Sequence, residues 1–270
     1  MTLTQLSQQI KEKKSMLCVG LDIDVEKLPG ALKNNPNAVV DFAKNIIDAT
    51  ADFTVAYKPN TAFYEARGEQ GWSDLKRIIA YINSHYPKMF TIADAKRGDI
   101  GNTSLQYAKA FYEHLNFDSI TLSPYMGIDS ISPFLGFENK YAILLGLTSN
   151  AGAKDFQLFG NEDEVLFEKV INTSQRWTNA QQLMYVVGAT KTDYLKRIRA
   201  LAPKAFLLVP GVGAQGGNLA AVCQHGMNEQ YGLLINASRS ILYAASGEDY
   251  AEAARNAAKD MAAVMAEFIQ

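Results

Sequence analysis

Five charged residues carry the spacing that could do chemistry: Asp22, Lys58, Asp94, Lys96 and Asp99. The tightest group is Asp94-x-Lys96-x-x-Asp99. Two residues apart at the end of a strand, Asp94 and Lys96 point to the same side. The carboxylate can then hold the lysine as an ammonium. A charged lysine suits a proton donor, whereas a Schiff-base lysine needs a lowered pKa. A single Asp or Lys reads equally well as one half of a structural ion pair. Five of alternating sign at one rim read as a site, because isolated buried charge is expensive and mutual pairing offsets the cost.

A second group could hold a phosphate. Pro210-Gly-Val-Gly-Ala-Gln215-Gly-Gly offers free backbone N–H groups ahead of a helix, and Ser238-Arg239-Ser240 adds more N–H groups and a guanidinium. Helix N-termini and arginine forks both suit phosphate. The glycine-rich turn alone is a weak signal, since turn chemistry explains it as well. Its pairing with Arg239 favours the anion.

The elements that must position these residues are legible as eight short apolar runs, at 16–21, 53–57, 90–93, 119–122, 141–147, 183–187, 206–209 and 231–235. They are nearly continuous rather than alternating, which suits parallel strands buried on both faces. Helix-like stretches separate them, at 37–47, 74–84, 103–115, 163–177, 192–201, 220–225 and 249–269. Asn37 and Ser73 are the expected N-caps of the first two. Residues 3–14 form an extra N-terminal helix expected to cover the bottom of the barrel, and 156–164 read as a surface loop. Strand then helix, repeated eight times, predicts an α/β chain folded as a single (β/α)8 barrel, the TIM-barrel architecture, with residues 1–270 as one catalytic domain. The open doubly wound sheet is the competing fold, and no Gly-x-Gly-x-x-Gly follows the first run. In a barrel the residues just after each strand build the active site. Asp22, Lys58 and Asn60, Asp94 to Asp99, Ser123 to Tyr125, Ser149, Thr190, Pro210 to Gly217, and Ser238 with Arg239 all fall there. Gly98 is expected to let the chain turn sharply towards the next helix.

Bulk properties exclude several classes. The chain has 270 residues, 48% hydrophobic and 20% charged, with a formal net charge of -2. That is an ordinary globular balance without the basic excess of a nucleic-acid binder. No run approaches the ~20 apolar residues of a membrane helix, and the polar start MTLTQLSQQIKEKKS lacks a signal-peptide core. Cys18 and Cys223 have no neighbour at metal or redox spacing, and two cysteines suit a reducing cytoplasm. His85, His114 and His225 lie away from the rim and read as surface or packing residues; Trp72 and Trp177 read as core or interface. Tyr125 is the aromatic residue placed to line the pocket.

The blocks VGLD, AYKPNTAFYE, ADAKRGDIGNT, LSPYMG, LTSNAGA, VPGVGAQGG and NASRSI span nearly the whole chain. With them the sequence resembles the orotidine 5'-monophosphate decarboxylase family, in particular its longer bacterial branch. The resemblance implies a monofunctional, cofactor-free and metal-free enzyme that makes uridine 5'-monophosphate. It implies a charged catalytic tetrad of Lys58, Asp94, Lys96 and Asp99. Lys96 would protonate the pyrimidine carbon, and Asp94 would sit by the departing carboxylate. Asp99 would cross into the partner's site in a homodimer, together with Ile100 and Thr103. Asp22 and Lys58 would hold ribose hydroxyls, Ser149 the pyrimidine edge, Gln215 both base and phosphate, and Arg239 with nearby N–H groups, around Pro210 and Ser238, the phosphate. Asn60 is a polar neighbour without an assigned role. Three alternatives stand beside this reading. A magnesium-dependent sugar-phosphate decarboxylase or aldolase-like relative can share the Asp-x-Lys-x-x-Asp block, although as a group such relatives carry an acidic residue where Lys58 stands. The others are a non-catalytic nucleotide-binding barrel and a purely structural one.

Overall fold

Each apolar run becomes a strand and the eight close on themselves. A computed structural model describes residues 1–32, 35–161, 164–190, 192–212 and 218–270. In chain order the elements are α1 (Leu3–Lys13), β1 (Leu17–Gly20), α2 (Ala38–Thr50), β2 (Ala56–Lys58), α3 (Ala62–Glu65), α4 (Gly68–His85), β3 (Phe90–Arg97), α5 (Gly101–Ala108) and β4 (Ser119–Leu122). There follow α6 (Ile128–Ile131), β5 (Tyr141–Leu147), α7 (Ala153–Phe156), α8 (Leu166–Ser174), β6 (Leu183–Val187), α9 (Thr192–Leu201), β7 (Leu207–Pro210), α10 (Leu219–Gly226), β8 (Leu233–Ala237), α11 (Arg239–Leu242) and α12 (Tyr250–Ala266). All neighbours in the closed order β1 to β8 pair in parallel, and β8 returns to β1 with Cys18 opposite Asn236. The strands are buried almost throughout. Burial on both faces is the reason their sequences run apolar without alternation.

The N-terminal helix covers the bottom, as expected. Thr2 and Gln5 form a capping box at its start, and Leu6 and Ile10 are fully buried. Two such side chains contribute roughly 1.5–3 kcal/mol each. Ser7 donates to the Gln230 carbonyl ahead of β8, Leu3 N–H to the Tyr141 hydroxyl at the start of β5, and the Lys13 ammonium to the Ala51 and Thr54 carbonyls ahead of β2. All three tie α1 to the N-terminal ends of strands. The opposite, C-terminal rim is left free for a site.

Several boundaries differ from those the sequence suggests. Residues Ala51–Phe53 form a 3₁₀ turn, so β2 starts at Ala56. Phe53 instead lies under the Arg255 guanidinium. Tyr231 and Gly232 take left-handed φ angles of 66° and 55°, which delays β8 to Leu233. Asn37 makes no capping bond; Asn35 accepts its N–H, and its own side-chain oxygen accepts from Arg77. Ser73 lies inside α4 rather than at its start, because the chain turns into the helix at Gly68, with φ 59°. Around the end of β3 the left-handed residues are Lys96, within the strand, and Gly101, beyond it, not Gly98. A Cβ on Gly98 would sit 3.3 Å from that of Ser123, a tight contact, so Gly98 eases packing there rather than making the turn. The expected 156–164 loop begins on the last residue of α7, with Phe156 and Phe159 exposed. Among the described residues, no helix is long and apolar enough to cross a membrane.

Candidate active site

The C-terminal ends of β1, β2, β3, β7 and β8 surround a cavity of about 420 Å³. Asp22, Lys58 and Asp94 line it on one side, and Pro210, Ser238 and Arg239 on the other. Each arrives there for a local reason. Parallel register sets Gly20 opposite Lys58, so the ends of β1 and β2 stand level, and Asp22 follows two residues later. The Asp22 carboxylate accepts the Asn60 N–H at 3.1 Å, which joins the two strand ends.

The charges form a chain. Lys58 Nζ donates to Asp94 Oδ2 at 2.9 Å and lies 3.9 Å from Asp22 Oδ1. Lys96 Nζ donates to Asp94 Oδ1 at 2.6 Å. Thr121 Oγ1, from β4, donates to the same oxygen at 3.0 Å. The Lys58 side chain is 4% exposed and that of Lys96 is 48% exposed, so a ligand reaches the second amine far more readily than the first. Burial alone would lower the Lys58 pKa, but Asp22 and Asp94 outweigh it and hold the ammonium above the ordinary lysine range. Burial likewise opposes ionisation of Asp94, and the two ammonium groups override it, keeping the carboxyl well below the usual range. Lys58 and Asp94 therefore both stay charged near neutrality.

The backbone beneath Lys96 is unusual. Lys96 sits at φ 47° in a non-glycine left-handed conformation, where the β3–β4 register shifts between Ala93 and Arg97. Such a residue costs roughly 1–3 kcal/mol and persists only where its surroundings fix it. Here the Lys96 N–H donates to Thr121 Oγ1 at 2.9 Å. On its other side Arg97 Nη1 donates to the Ala95 carbonyl, its guanidinium pairs with Glu65, and it lies over the rings of Tyr107 and Phe111.

Across the cavity, β8 delivers Asn236, whose Nδ2 donates to Ser238 Oγ at 3.3 Å. Ser238 packs so closely on β1 that a Cβ on Gly20 would lie 1.9 Å from its Oγ, so only glycine fits there. Arg239 opens the short helix α11 and faces the cavity with Ser240. Lys27 and Tyr243 complete that wall, with the ammonium 5.6 Å from the ring centroid.

Among the residues expected from sequence, Asp22, Lys58, Asp94, Pro210, Ser238 and Arg239 thus share one cavity, with Lys96 bonded to its edge. Asn60 is held close by, its side-chain oxygen accepting the Ala62 N–H at the start of α3. Ser149 follows β5, with its backbone pressed against Gly188, where a Cβ would lie 2.6 Å from Ser149 N. Asp99, Ile100 and Thr103 are not among the residues lining the cavity. Asp99 accepts the Ile100 N–H, Ile100 is 53% exposed and Thr103 is exposed. Gln215 lies outside the described residues. Tyr125 does not line this cavity either; it is 83% exposed and borders a separate apolar groove with Phe156. Thr121, Asp24, Lys27 and Tyr243 escaped the sequence reading. Thr121 stands in a β-branched strand run, where a hydroxyl looks like ordinary strand propensity. Among the described residues no group of three or more His, Cys, Asp or Glu could hold a metal ion.

Residues 15–256 match the sequence model of the orotidine 5'-phosphate decarboxylase / HUMPS family. The chain is 58% identical over 269 residues to orotidine 5'-phosphate decarboxylase of Flavobacterium johnsoniae, covering 100% of this chain and 98% of that one. It is 57% identical to the enzyme of the same name from Christiangramia forsetii, covering 98% of each. Among solved structures, Leishmania donovani OMP decarboxylase superposes with a TM-score of 0.82 at 35% identity, over 98% of this chain and 99% of that one.

Proposed function

This chain belongs to the orotidine 5'-phosphate decarboxylase / HUMPS family, and on that premise we propose that it converts orotidine 5'-monophosphate to uridine 5'-monophosphate and carbon dioxide, the last step of de novo UMP synthesis. The observation that carries this reading is the Lys58–Asp94–Lys96 ion chain at the cavity. The reaction breaks a carbon–carbon bond and leaves its electron pair on a ring carbon. Stabilising that pair calls for a fixed positive charge and then a proton. Lys96 supplies both. Its ammonium is bonded to a carboxylate at the cavity's edge, and its side chain is still half exposed. As neutral carbon dioxide leaves, the ring carbon takes the Lys96 proton, and the amine recovers one from water.

The remaining residues take the roles that suit their positions. Arg239, with backbone N–H groups around Pro210 and Ser238, binds the phosphate. That contact is remote from the breaking bond, yet its binding energy can be used in the transition state. Asp22 and Lys58 hold ribose hydroxyls beside Asn60, Ser149 reads the pyrimidine edge, and Gln215 bridges base and phosphate. Asp99, Ile100 and Thr103 complete the site of a second copy in a homodimer, a reading supported by the outward, apolar exposure of Ile100. On this reading residues 1–270 are one catalytic domain working in the cytoplasm, with no metal or cofactor in the chemistry.

The metal-dependent sugar-phosphate reading is the rival. Lys58 argues against it, because its buried ammonium stands where those relatives would carry an acidic residue. The test is the ultraviolet absorbance of orotidine 5'-monophosphate mixed with the protein, with and without a chelator. Loss of the orotate chromophore at the same rate in both is expected. No loss with a folded sample would reject the activity, and loss abolished by the chelator would favour the rival.

A further inference from the structure

We propose that Thr121 is a positioning residue for the decarboxylation, joining the backbone of Lys96 to the side chain of Asp94 through one hydroxyl. The proposal rests on the reading of Lys96 as proton donor. Thr121 is fully buried in β4. Its oxygen accepts the Lys96 N–H at 2.9 Å and donates to Asp94 Oδ1 at 3.0 Å. The direction of both bonds is fixed by chemistry: a backbone N–H can only donate, so the hydroxyl proton is free for the carboxylate. Asp94 Oδ1 also accepts from Lys96 Nζ. Thr121, the Lys96 backbone, the Lys96 side chain and the Asp94 carboxylate therefore close a ring of hydrogen bonds around the proton-donating amine.

That ring explains why a hydroxyl stands in a strand where valine would pack as well. Burying a hydroxyl is unfavourable unless it is bonded, and here both bonds go to the reacting pair. Arg97 braces the same left-handed turn by donating to the Ala95 carbonyl. Of the two braces, only Thr121 also touches Asp94. Without the hydroxyl the Lys96 N–H loses its partner, and Asp94 Oδ1 is held by the half-exposed lysine amine alone. The ammonium then spends less time where the ring carbon needs it. Misplacement of about an ångström costs on the order of a hundredfold in rate, while nucleotide binding, anchored across the cavity by other residues, is spared.

The experiment is steady-state kinetics on orotidine 5'-monophosphate with Thr121→Val and Thr121→Ser, together with uridine 5'-monophosphate titration and thermal melting. Thr121→Val should lower kcat by about tenfold to a hundredfold, with KM and product affinity within about threefold of the parent. Thr121→Ser keeps the hydroxyl and should recover kcat to within about threefold. Where Thr121→Val does not fold, Thr121→Ala takes its place. An unchanged kcat in a hydroxyl-free variant that binds product would overturn the proposal, as would a serine variant as slow as the valine one, or losses in kcat and product affinity of equal size. An inactive parent protein would instead overturn the decarboxylase reading itself.

Discussion

One carboxylate, that of Asp94, is shared by two ammonium groups and a hydroxyl. Removing its charge would leave the buried Lys58 ammonium with Asp22 alone at 3.9 Å. Asp94→Asn should therefore destabilise the fold by about 3 kcal/mol, read as a fall in the denaturant midpoint; an unchanged midpoint would mean that the pair is not held in solution. The pH dependence follows from the shifts. The folded-state value of Asp94 is depressed, so its contribution is complete above the ordinary carboxylate value of about 4 and is lost as pH falls through the folded value. The folded-state value of Lys58 is raised, so its contribution is complete below about 10.4 and is lost only as pH rises beyond that. This pair should add no slope to stability between about pH 5 and 9, and Asp94→Asn should abolish part of the acid destabilisation. At the cavity's other wall, Arg239→Ala removes a charge-assisted fork worth roughly 2–4 kcal/mol, so KM should rise at least about thirtyfold; unchanged kinetic constants would remove Arg239 from phosphate binding. The charges were legible in the sequence because the Asp94–Lys96 spacing at a strand end carries its own geometry. Thr121 was not, because what it bonds depends on the left-handed turn at Lys96, and no residue type announces that turn. The outlying position of Tyr125 was hidden for a related reason: proximity to a strand end does not say which way the following loop leaves.

The elements were legible where burial is continuous and illegible where backbone conformation decides. β4, β5 and β6 fall where their apolar runs place them. The start of β2 does not, because a 3₁₀ turn takes up Phe53, whose aromatic character suits a strand equally well. The start of α4 was missed because glycine at φ 59° opens it, while the serine that looked like a cap is one turn inside. Two glycines at strand ends have a packing role that only the closed barrel reveals. Gly188 admits the backbone of Ser149, and Gly20 admits Ser238. Gly188→Ala must push Ser149 aside, because its Cβ would meet backbone rather than a mobile tip. Overpacking of this kind costs roughly 1–3 kcal/mol. Affinity for uridine 5'-monophosphate should fall about tenfold with it. Titration checks this, and an unaltered affinity would show that Ser149 does not touch the nucleotide.

At the scale of the whole molecule, the closed barrel gathers side chains from five strand ends into one cavity yet leaves Asp99, Ile100 and Thr103 outside its lining. The homodimer proposed above would use these residues to complete the site of a second copy. Mixing Lys96→Ala with Asp99→Ala under conditions that exchange subunits should then restore roughly one quarter of parental activity, because half the dimers are mixed and each mixed dimer has one intact site. No recovery would place both residues in the same site. The repeat of strand and helix made the barrel legible along the whole chain, whereas subunit sharing is a property of two chains and leaves no periodicity in one. The central claim is that the Lys96 ammonium turns this cavity into a decarboxylase. Its most direct test is orotidine 5'-monophosphate turnover by the parent and by Lys96→Ala, with uridine 5'-monophosphate binding measured on both. The account predicts rapid turnover by the parent, none detectable in the variant, and product affinity largely retained. Near-normal turnover by Lys96→Ala would contradict it.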